Sequence, residues 1–268
     1  MDLEIKNKIA LVTGSSSGIG LSTAIELMKN NVKVWICSRN KSKLLKAEHI
    51  IKNKINKKPF TFQVDVSSEK QINKMVSHIH SKHSNIDILI NNAGRAQAGG
   101  VLDTSVDQWQ DMMNLKILAM TNLCKLVIPK MIGKKWGRIV NMSSVGGVYP
   151  NPKLTISHAL SAAINNITKS LALDVANKGI LINSIGIGAI NTDNWKSNMI
   201  PKVKKTRPDL SKLSDREIIK KLGAELTPVG RFGKPEEIAY LACFLASNKN
   251  GFITGANIEA SGGADKFM

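Results

Sequence analysis

Thr13-Gly14-Ser15-Ser16-Ser17-Gly18-Ile19-Gly20 follows an apolar run over residues 9–13 and opens an amphipathic stretch over residues 19–30. An apolar β-type run, a glycine-rich turn and a helix start in that order make one supersecondary unit. The glycines let the backbone turn tightly and come close to a ligand, while the free N–H groups of the helix N-terminus attract a pyrophosphate. A glycine-rich loop alone is a weak signal. At a strand-to-helix junction in an alternating chain it is a strong one.

The rest of the chain repeats that alternation. Strands are predicted at 9–13, 32–37, 60–64, 86–90, 138–142, 181–185 and 257–260, and helices at 19–30, 41–54, 69–82, 106–132, 157–177 and 235–246. Strands that are apolar throughout and separated by helices predict a parallel sheet buried on both faces. The fold class is therefore α/β: a single-domain, Rossmann-type doubly wound parallel sheet of about seven strands, spanning residues 1–268. No linker, repeat or low-complexity block divides it. Residues 191–230 break the rhythm, with Pro201, Pro208, Pro228 and many lysines. That stretch is too long for an ordinary connection and predicts a substrate-covering loop or lid carrying short helices.

Composition narrows the function classes. The 268 residues carry a formal charge of +18, but the lysines are spread along the whole chain and the basic tracts lack interleaved aromatics. This reads as a solvated basic surface with no designed nucleic-acid patch. No apolar stretch approaches the roughly 20 residues that span a bilayer. The start, Met1-Asp2-Leu3-Glu4-Ile5-Lys6, has neither a basic n-region nor an apolar run. Cys37, Cys124 and Cys243 are far apart and apolar-flanked, which fits free thiols in a reducing cytoplasm, with no metal site.

Further motifs fall in order along the chain: Asn91-Asn92-Ala93-Gly94, Gly137-Arg138-Ile139-Val140-Asn141-Met142-Ser143-Ser144, Pro235-Glu236-Glu237-Ile238-Ala239, Phe252-Ile253-Thr254-Gly255 and Gly262-Gly263. Together with Gly14-x-x-x-Gly18-x-Gly20, they make the whole chain resemble the short-chain dehydrogenase/reductase family, most closely its three-oxoacyl-carrier-protein-reductase-like members. The resemblance implies a nicotinamide dinucleotide held by Gly14, Ser16, Ser17, Gly18, Ile19 and Gly20. It also implies an adenine contact from Asp65 and Val66, bracing by Asn91, Ala93 and Gly94, and nicotinamide-side contacts from Ile190 and Thr192. The family's Pro-Gly after the sixth strand is Ile187-Gly188 here, which predicts a looser turn beside the reacting ring. At the end of the second strand, a carboxylate would bind the ribose hydroxyls and repel a 2′-phosphate. This chain has Ser38, Arg39 and Asn40 instead, favouring NADP(H) over NAD(H).

The acid–base site departs from the family. The resemblance assigns a water-holding asparagine to Asn114 and a substrate-orienting serine to Ser144. Its proton-donating tyrosine and pKa-lowering lysine fall on Ser157 and Ser161, in a helix whose flanks keep the family pattern. An alkanol is a far weaker acid than a phenol, and a serine supplies no cation. Well-placed acid–base help is worth roughly 10²–10⁴-fold in rate, so its loss leaves reduction slow unless something replaces it. Tyr149 and Lys153 keep the Tyr-x-x-x-Lys spacing, but Pro150 and Pro152 inside it predict an extended loop with no shared face. His158 lies about 100° around the helix from Ser157 and reads as an ordinary helix-surface or packing histidine. A water organised by Ser144, Ser157, Ser161 and Asn114 is the remaining route.

The sequence therefore predicts an NADP(H)-dependent oxidoreductase acting on a small alcohol or carbonyl through an atypical proton path. Its rivals are an NADP(H)-binding pseudoenzyme (a sensor or inactive subunit) and a non-redox lyase or isomerase in the same pocket. By resemblance the long helices imply a homodimer or homotetramer. Lys134-Lys135-Trp136 is a weak candidate contact for an acyl-carrier protein or a coenzyme A ester, and reads better as a solvated turn.

Overall fold

β1 (Ile9–Val12) is buried at every position, and its alternating side chains enter two different cores. Ile9 and Leu11 pack on one face of the sheet with Met75, Leu123 and Ile164, while Ala10 and Val12 pack on the other with Ala24, Leu27 and Ala242. Both faces being covered is why the strand reads as a continuous apolar run rather than an alternating one. A computed structural model describes residues 2–264.

The remaining strands are β2 (Lys33–Ser38), β3 (Phe60–Gln63), β4 (Ile88–Asn91), β5 (Gly137–Ser144), β6 (Ile180–Ile187) and β7 (Asn257–Ala260). They form one seven-stranded sheet in the order β3-β2-β1-β4-β5-β6-β7, and every pairing is parallel. The predicted α/β class and strand number hold. The order reverses between β1 and β4, so the loops leaving those two strands diverge and open a crevice at their carboxyl ends.

Helices α1 (Gly18–Lys29), α2 (Lys41–Ile55) and α3 (Glu69–His83) follow the first three strands. The single helix predicted over 106–132 is three pieces: α4 (Val106–Met113), a π-turn (Asn114–Leu118) and α5 (Ala119–Gly133). Apolar periodicity continues across the π-turn, which hides the break from a sequence reading. Next come α6 (Thr155–Val175), α7 (Asp193–Thr206), α8 (Asp215–Leu226) and α9 (Pro235–Leu245). Among the described residues, no helix is long and apolar enough to cross a membrane.

Residues 191–230 carry α7, a short 3-10 turn (Pro208–Leu210) and α8. Thr192 caps α7 by accepting the Trp195 N–H at 3.0 Å, and Ser214 and Glu217 form a capping box on α8. Ala189, Ile200, Val203, Leu210, Ile218, Leu222 and Phe232 give this stretch its own small core beside the main one. Lys134-Lys135-Trp136 is a turn tied into the fold. Trp136 Nε1 donates to Asn248 Oδ1 at 3.3 Å, and Lys8 and Arg138 lie over its ring. The three cysteines are buried free thiols, with Cys37 and Cys124 pushed up to about 12 by loss of solvent.

The buried Asp87, just before β4, fixes the start of the β1–β4 pair that frames the crevice. Its carboxylate accepts from the Ile9 N–H at 2.8 Å and Asn85 Nδ2 at 3.1 Å, with Lys134 Nζ 3.9 Å away. Asp87→Ala leaves a buried N–H unpaired and is expected to lower unfolding stability by about 1–3 kcal/mol, read as a lower urea midpoint.

Candidate active site

The glycine-rich turn is clasped from across the crevice. Thr13 Oγ1 accepts the N–H groups of Asn92 and Ala93, each at 3.0 Å. Asn92 Nδ2 donates back to the carbonyls of Thr13 at 2.9 Å and Gly14 at 3.1 Å. Gly14 has φ +61°, and a Cβ there would lie 2.8 Å from Ala93 Cα. A Cβ on Gly20 would collide with the Asn92 amide. The turn therefore has to be glycine at both places to sit this close to the loop after β4.

Beyond the turn, the N-terminus of α1 has no side-chain cap, and Ser17, Gly18 and Ile19 line an open cleft of about 340 Å³. Uncapped N–H groups at a helix start, with glycine at positions 18 and 20, suit a diphosphate. The residues present thus fit a dinucleotide. Ser16 is half-buried and Gly20 is buried, and neither lines the cleft.

The second strand's end lies further out. Arg39 is exposed, and its carbonyl accepts from Gln63 Nε2 at 3.1 Å, while its guanidinium has no hydrogen bond or ion pair among the described residues. Asn40 caps α2 by accepting the Lys43 N–H at 2.9 Å, and its own N–H donates to Ser38 Oγ at 3.3 Å. Asp65 is turned inward to its own loop, accepting the Ser67 N–H at 2.9 Å, and Val66 is buried. Asn91 does not line the large cleft. It donates to Asn141 Oδ1 at 2.8 Å, and Asn141 donates on to Thr168 Oγ1 at 2.9 Å. Asn91 thus braces β4 against β5 and α6 from behind, and its own Oδ1 is buried without a hydrogen-bond partner.

Ser144, Ser157, His158, Gly94, Ile190 and Thr192 all line the cleft that begins at Gly14. Ser144 Oγ accepts the Gly146 N–H at 3.1 Å and is left with a proton to give. Ser157 Oγ accepts the Gln97 N–H at 2.7 Å and donates to the Gln97 carbonyl at 3.2 Å. Its proton is committed to holding the loop after β4. Two of the four predicted catalytic residues are not brought to the cleft. Ser161 is fully buried, its hydroxyl donating to the Ser157 carbonyl one turn earlier at 2.8 Å. Asn114 sits at the mouth of the π-turn, where its Oδ1 accepts from Gln110 Nε2 at 2.9 Å on the exposed side. The π-turn re-aims the helix, and Lys116 rather than Asn114 reaches the cleft.

Lys116 runs past Gly94, whose added Cβ would meet Lys116 Cε at 3.5 Å. Its ammonium has no hydrogen bond or ion pair among the described residues, and burial pushes its pKa down to about 8. His158 is buried, with Nδ1 accepting the Asn151 N–H at 2.9 Å, so the neutral ring carries its proton on Nε2. Burial, and then the Lys116 charge, hold its pKa below the usual histidine value. Tyr149 and Lys153 do not line the cleft, in keeping with the loop expected from Pro150 and Pro152.

A family model described as short chain dehydrogenase matches residues 8–201. This chain belongs to the short-chain dehydrogenase family. It is 30% identical over 264 residues to a 3-oxoacyl-acyl-carrier-protein reductase of Thermotoga maritima, covering 97% of this chain and 99% of that one. Among solved structures, it superposes on L-sorbose reductase from Gluconobacter frateurii, complexed with NADPH and L-sorbose, with a TM-score of 0.91 and 28% identity over 100% of both chains. It also matches a short chain oxidoreductase from Pseudomonas aeruginosa described as containing an atypical catalytic center, with a TM-score of 0.86, 27% identity, and coverage of 97% of this chain and 98% of that one.

For a short-chain dehydrogenase, the turn after β6 lacks its usual proline, yet it is held from outside. Ile190 bridges to Gly233, the Asn191 N–H donates to the Gly233 carbonyl at 2.9 Å, and Gly188 packs under Ser261. Sequence reading missed Asn92, Arg95, Lys116 and the α7 residues Trp195, Asn198 and Met199, all of which line the cleft. Asn92 stood inside a quoted motif and could have been found there. Lys116 could not, because its direction depends on the π-turn. Asn92→Ala removes both amide bonds of the clasp. It is expected to cost about 1–3 kcal/mol of stability and to weaken dinucleotide binding, checked by urea unfolding and by fluorescence titration with reduced nicotinamide cofactors.

Proposed function

We propose that this protein is an NADP(H)-dependent oxidoreductase acting on a small alcohol or carbonyl compound, with a proton path that does not use a tyrosine–lysine pair. The observation that carries the reading is one continuous cleft running from the uncapped N-terminus of α1 to Ser144, with Thr192 and Ile190 on the opposite wall. Exposed, unpaired Arg39 and the absence of a carboxylate at Ser38-Arg39-Asn40 favour a 2′-phosphate. The NADPH bound to the sorbose reductase neighbour supports the same cofactor here.

A bound nicotinamide dinucleotide would supply or accept the hydride. The chain's own residues have separate tasks. The α1 N-terminus and the Thr13–Asn92 clasp hold the diphosphate region, and Arg39 neutralises a 2′-phosphate. Ser144, with a free hydroxyl proton, orients the substrate oxygen, and Trp195 and Met199 from α7 limit access of water. The name of the Thermotoga maritima relative makes the 3-oxo group of a carrier-bound acyl chain one candidate carbonyl, among other small ketones and aldehydes. A homodimer or homotetramer is supported by the exposed apolar Val106, Leu118 and Leu173 on α4, the π-turn and α6. The three buried free thiols fit a reducing, cytoplasmic setting.

A second reading is favoured by the committed hydroxyls of Ser157 and Ser161: a protein that binds NADP(H) and does not turn it over. A titration followed by a carbonyl and alcohol panel separates the two. The oxidoreductase reading expects NADPH to bind more tightly than NADH and at least one carbonyl to be reduced. Binding without turnover would favour the second reading, and no binding would remove both. Arg39→Asp is expected to weaken NADPH about 10–100-fold, the value of a charge-assisted contact, while NADH loses nothing or gains.

A further inference from the structure

We propose that Lys116 is the proton donor of this site, its ammonium delivering a proton to the substrate oxygen in place of the absent tyrosine and lysine of α6. The inference rests on the oxidoreductase reading above and names the group that completes it.

The argument begins with what the other polar groups of the cleft are already doing. Ser157 spends its proton on the Gln97 carbonyl and Ser161 on the Ser157 carbonyl. Ser143 donates to the Ser161 carbonyl at 3.2 Å. Thr192 accepts the Trp195 N–H as the cap of α7. Ser144 keeps a free proton, but an alkanol is too weak an acid to release it at neutral pH. His158 is held neutral by burial, and its Nδ1 is occupied by the Asn151 N–H. Arg95 lines the cleft as a cation, yet a guanidinium does not give up its proton in a protein. Lys116 remains.

Its position suits the task. Lys116 leaves the chain at the π-turn and passes Gly94, the last residue of the loop that meets the glycine-rich turn. It lines both the main cleft, with Ser144 and Ser157, and a small cavity behind Asn91 and Ala93. The charged or titratable groups facing it from neighbouring elements are His158 on α6 and Arg95 after β4, and no carboxylate lines the cleft among the described residues. No anion therefore holds the ammonium in an ion pair, and burial brings its pKa to about 8, inside the range where a lysine exchanges protons readily. A neutralised Lys116 would also leave the small cavity without a buried charge.

The step balances. The carbonyl carbon gains a hydride from the bound reduced nicotinamide cofactor, which is thereby oxidised. The C=O π pair moves onto oxygen. An N–H bond of Lys116 breaks as the O–H bond forms, leaving a neutral amine that solvent reprotonates through the open cleft. In the oxidation direction, the neutral amine takes the alcohol proton.

The test compares wild type with Lys116→Met and Lys116→Arg, using NADPH and the best carbonyl of the panel. Lys116→Met is expected to lower kcat roughly 10²–10⁴-fold, while the NADPH dissociation constant stays near the wild-type value. Wild-type reduction should fall as pH rises through about 8, and Lys116→Arg should show no such fall. A readout free of catalysis uses cofactor-free protein. Folded Lys116 loses its proton near pH 8 and an unfolded lysine near its ordinary value, so between those limits the unfolded state binds more protons. Wild type should therefore gain urea stability relative to Lys116→Met as pH rises through that window. Lys116→Met with a raised KM and an intact kcat, or with the alkaline fall retained, overturns the donor role alone. Wild type that reduces no carbonyl while binding NADPH removes the oxidoreductase reading, and this role with it.

Discussion

Thr13 Oγ1 takes two N–H groups from the loop after β4, and the Asn92 amide returns two bonds to the glycine-rich turn. This exchange joins the two loops that leave the sheet at its point of reversal. Without it, the backbone of Gly14 and the start of α1 would have no fixed distance from Gly94 and Lys116. Everything else in the cleft is arranged relative to that joint: α1 offers its N–H groups on one side, while Ser144, Ser157 and Lys116 stand on the other. The joint is polar and partly buried, so its bonds act where water competes weakly for them.

At the other end of the cleft, Ser157 and Ser161 do not present two free hydroxyls. A short side chain on a helix finds the nearest backbone carbonyl, and both serines did so. Ser157 ties down Gln97, and Ser161 bonds back to the preceding turn of α6, so each became part of the scaffold. Lys116, arriving from the π-turn before α5, lines the same cleft as Ser144 and Ser157.

Most of the fold was legible because it rests on local and periodic signals. Runs such as Ile9-Ala10-Leu11-Val12 and Ile88-Leu89-Ile90 announce strands buried on both faces, and the glycines after β1 announce the turn. Part of the site was legible for the same reason: Gly14, Gly18, Ser144 and Ser157 sit at fixed spacings on those elements and do line the cleft. Asn114 and Ser161 have fitting positions in the chain but not in space. For Ser161 the cause is burial under Ser143 and Gly147. For Asn114 it is the π-turn, where five residues take a wider turn and every side chain after it points elsewhere.

The sequence by itself determined the alternation of strand and helix, the parallel order, the glycine turn and the presence of serine at 157 and 161, since each is written in residue type and spacing. Only the tertiary structure decided which polar groups remain free to react. A hydroxyl's proton and an ammonium's charge depend on what lies within bonding distance, and those neighbours come from segments dozens of residues away. Ser157 met Gln97, and the Lys116 ammonium met no hydrogen-bond or ion-pair partner among the described residues.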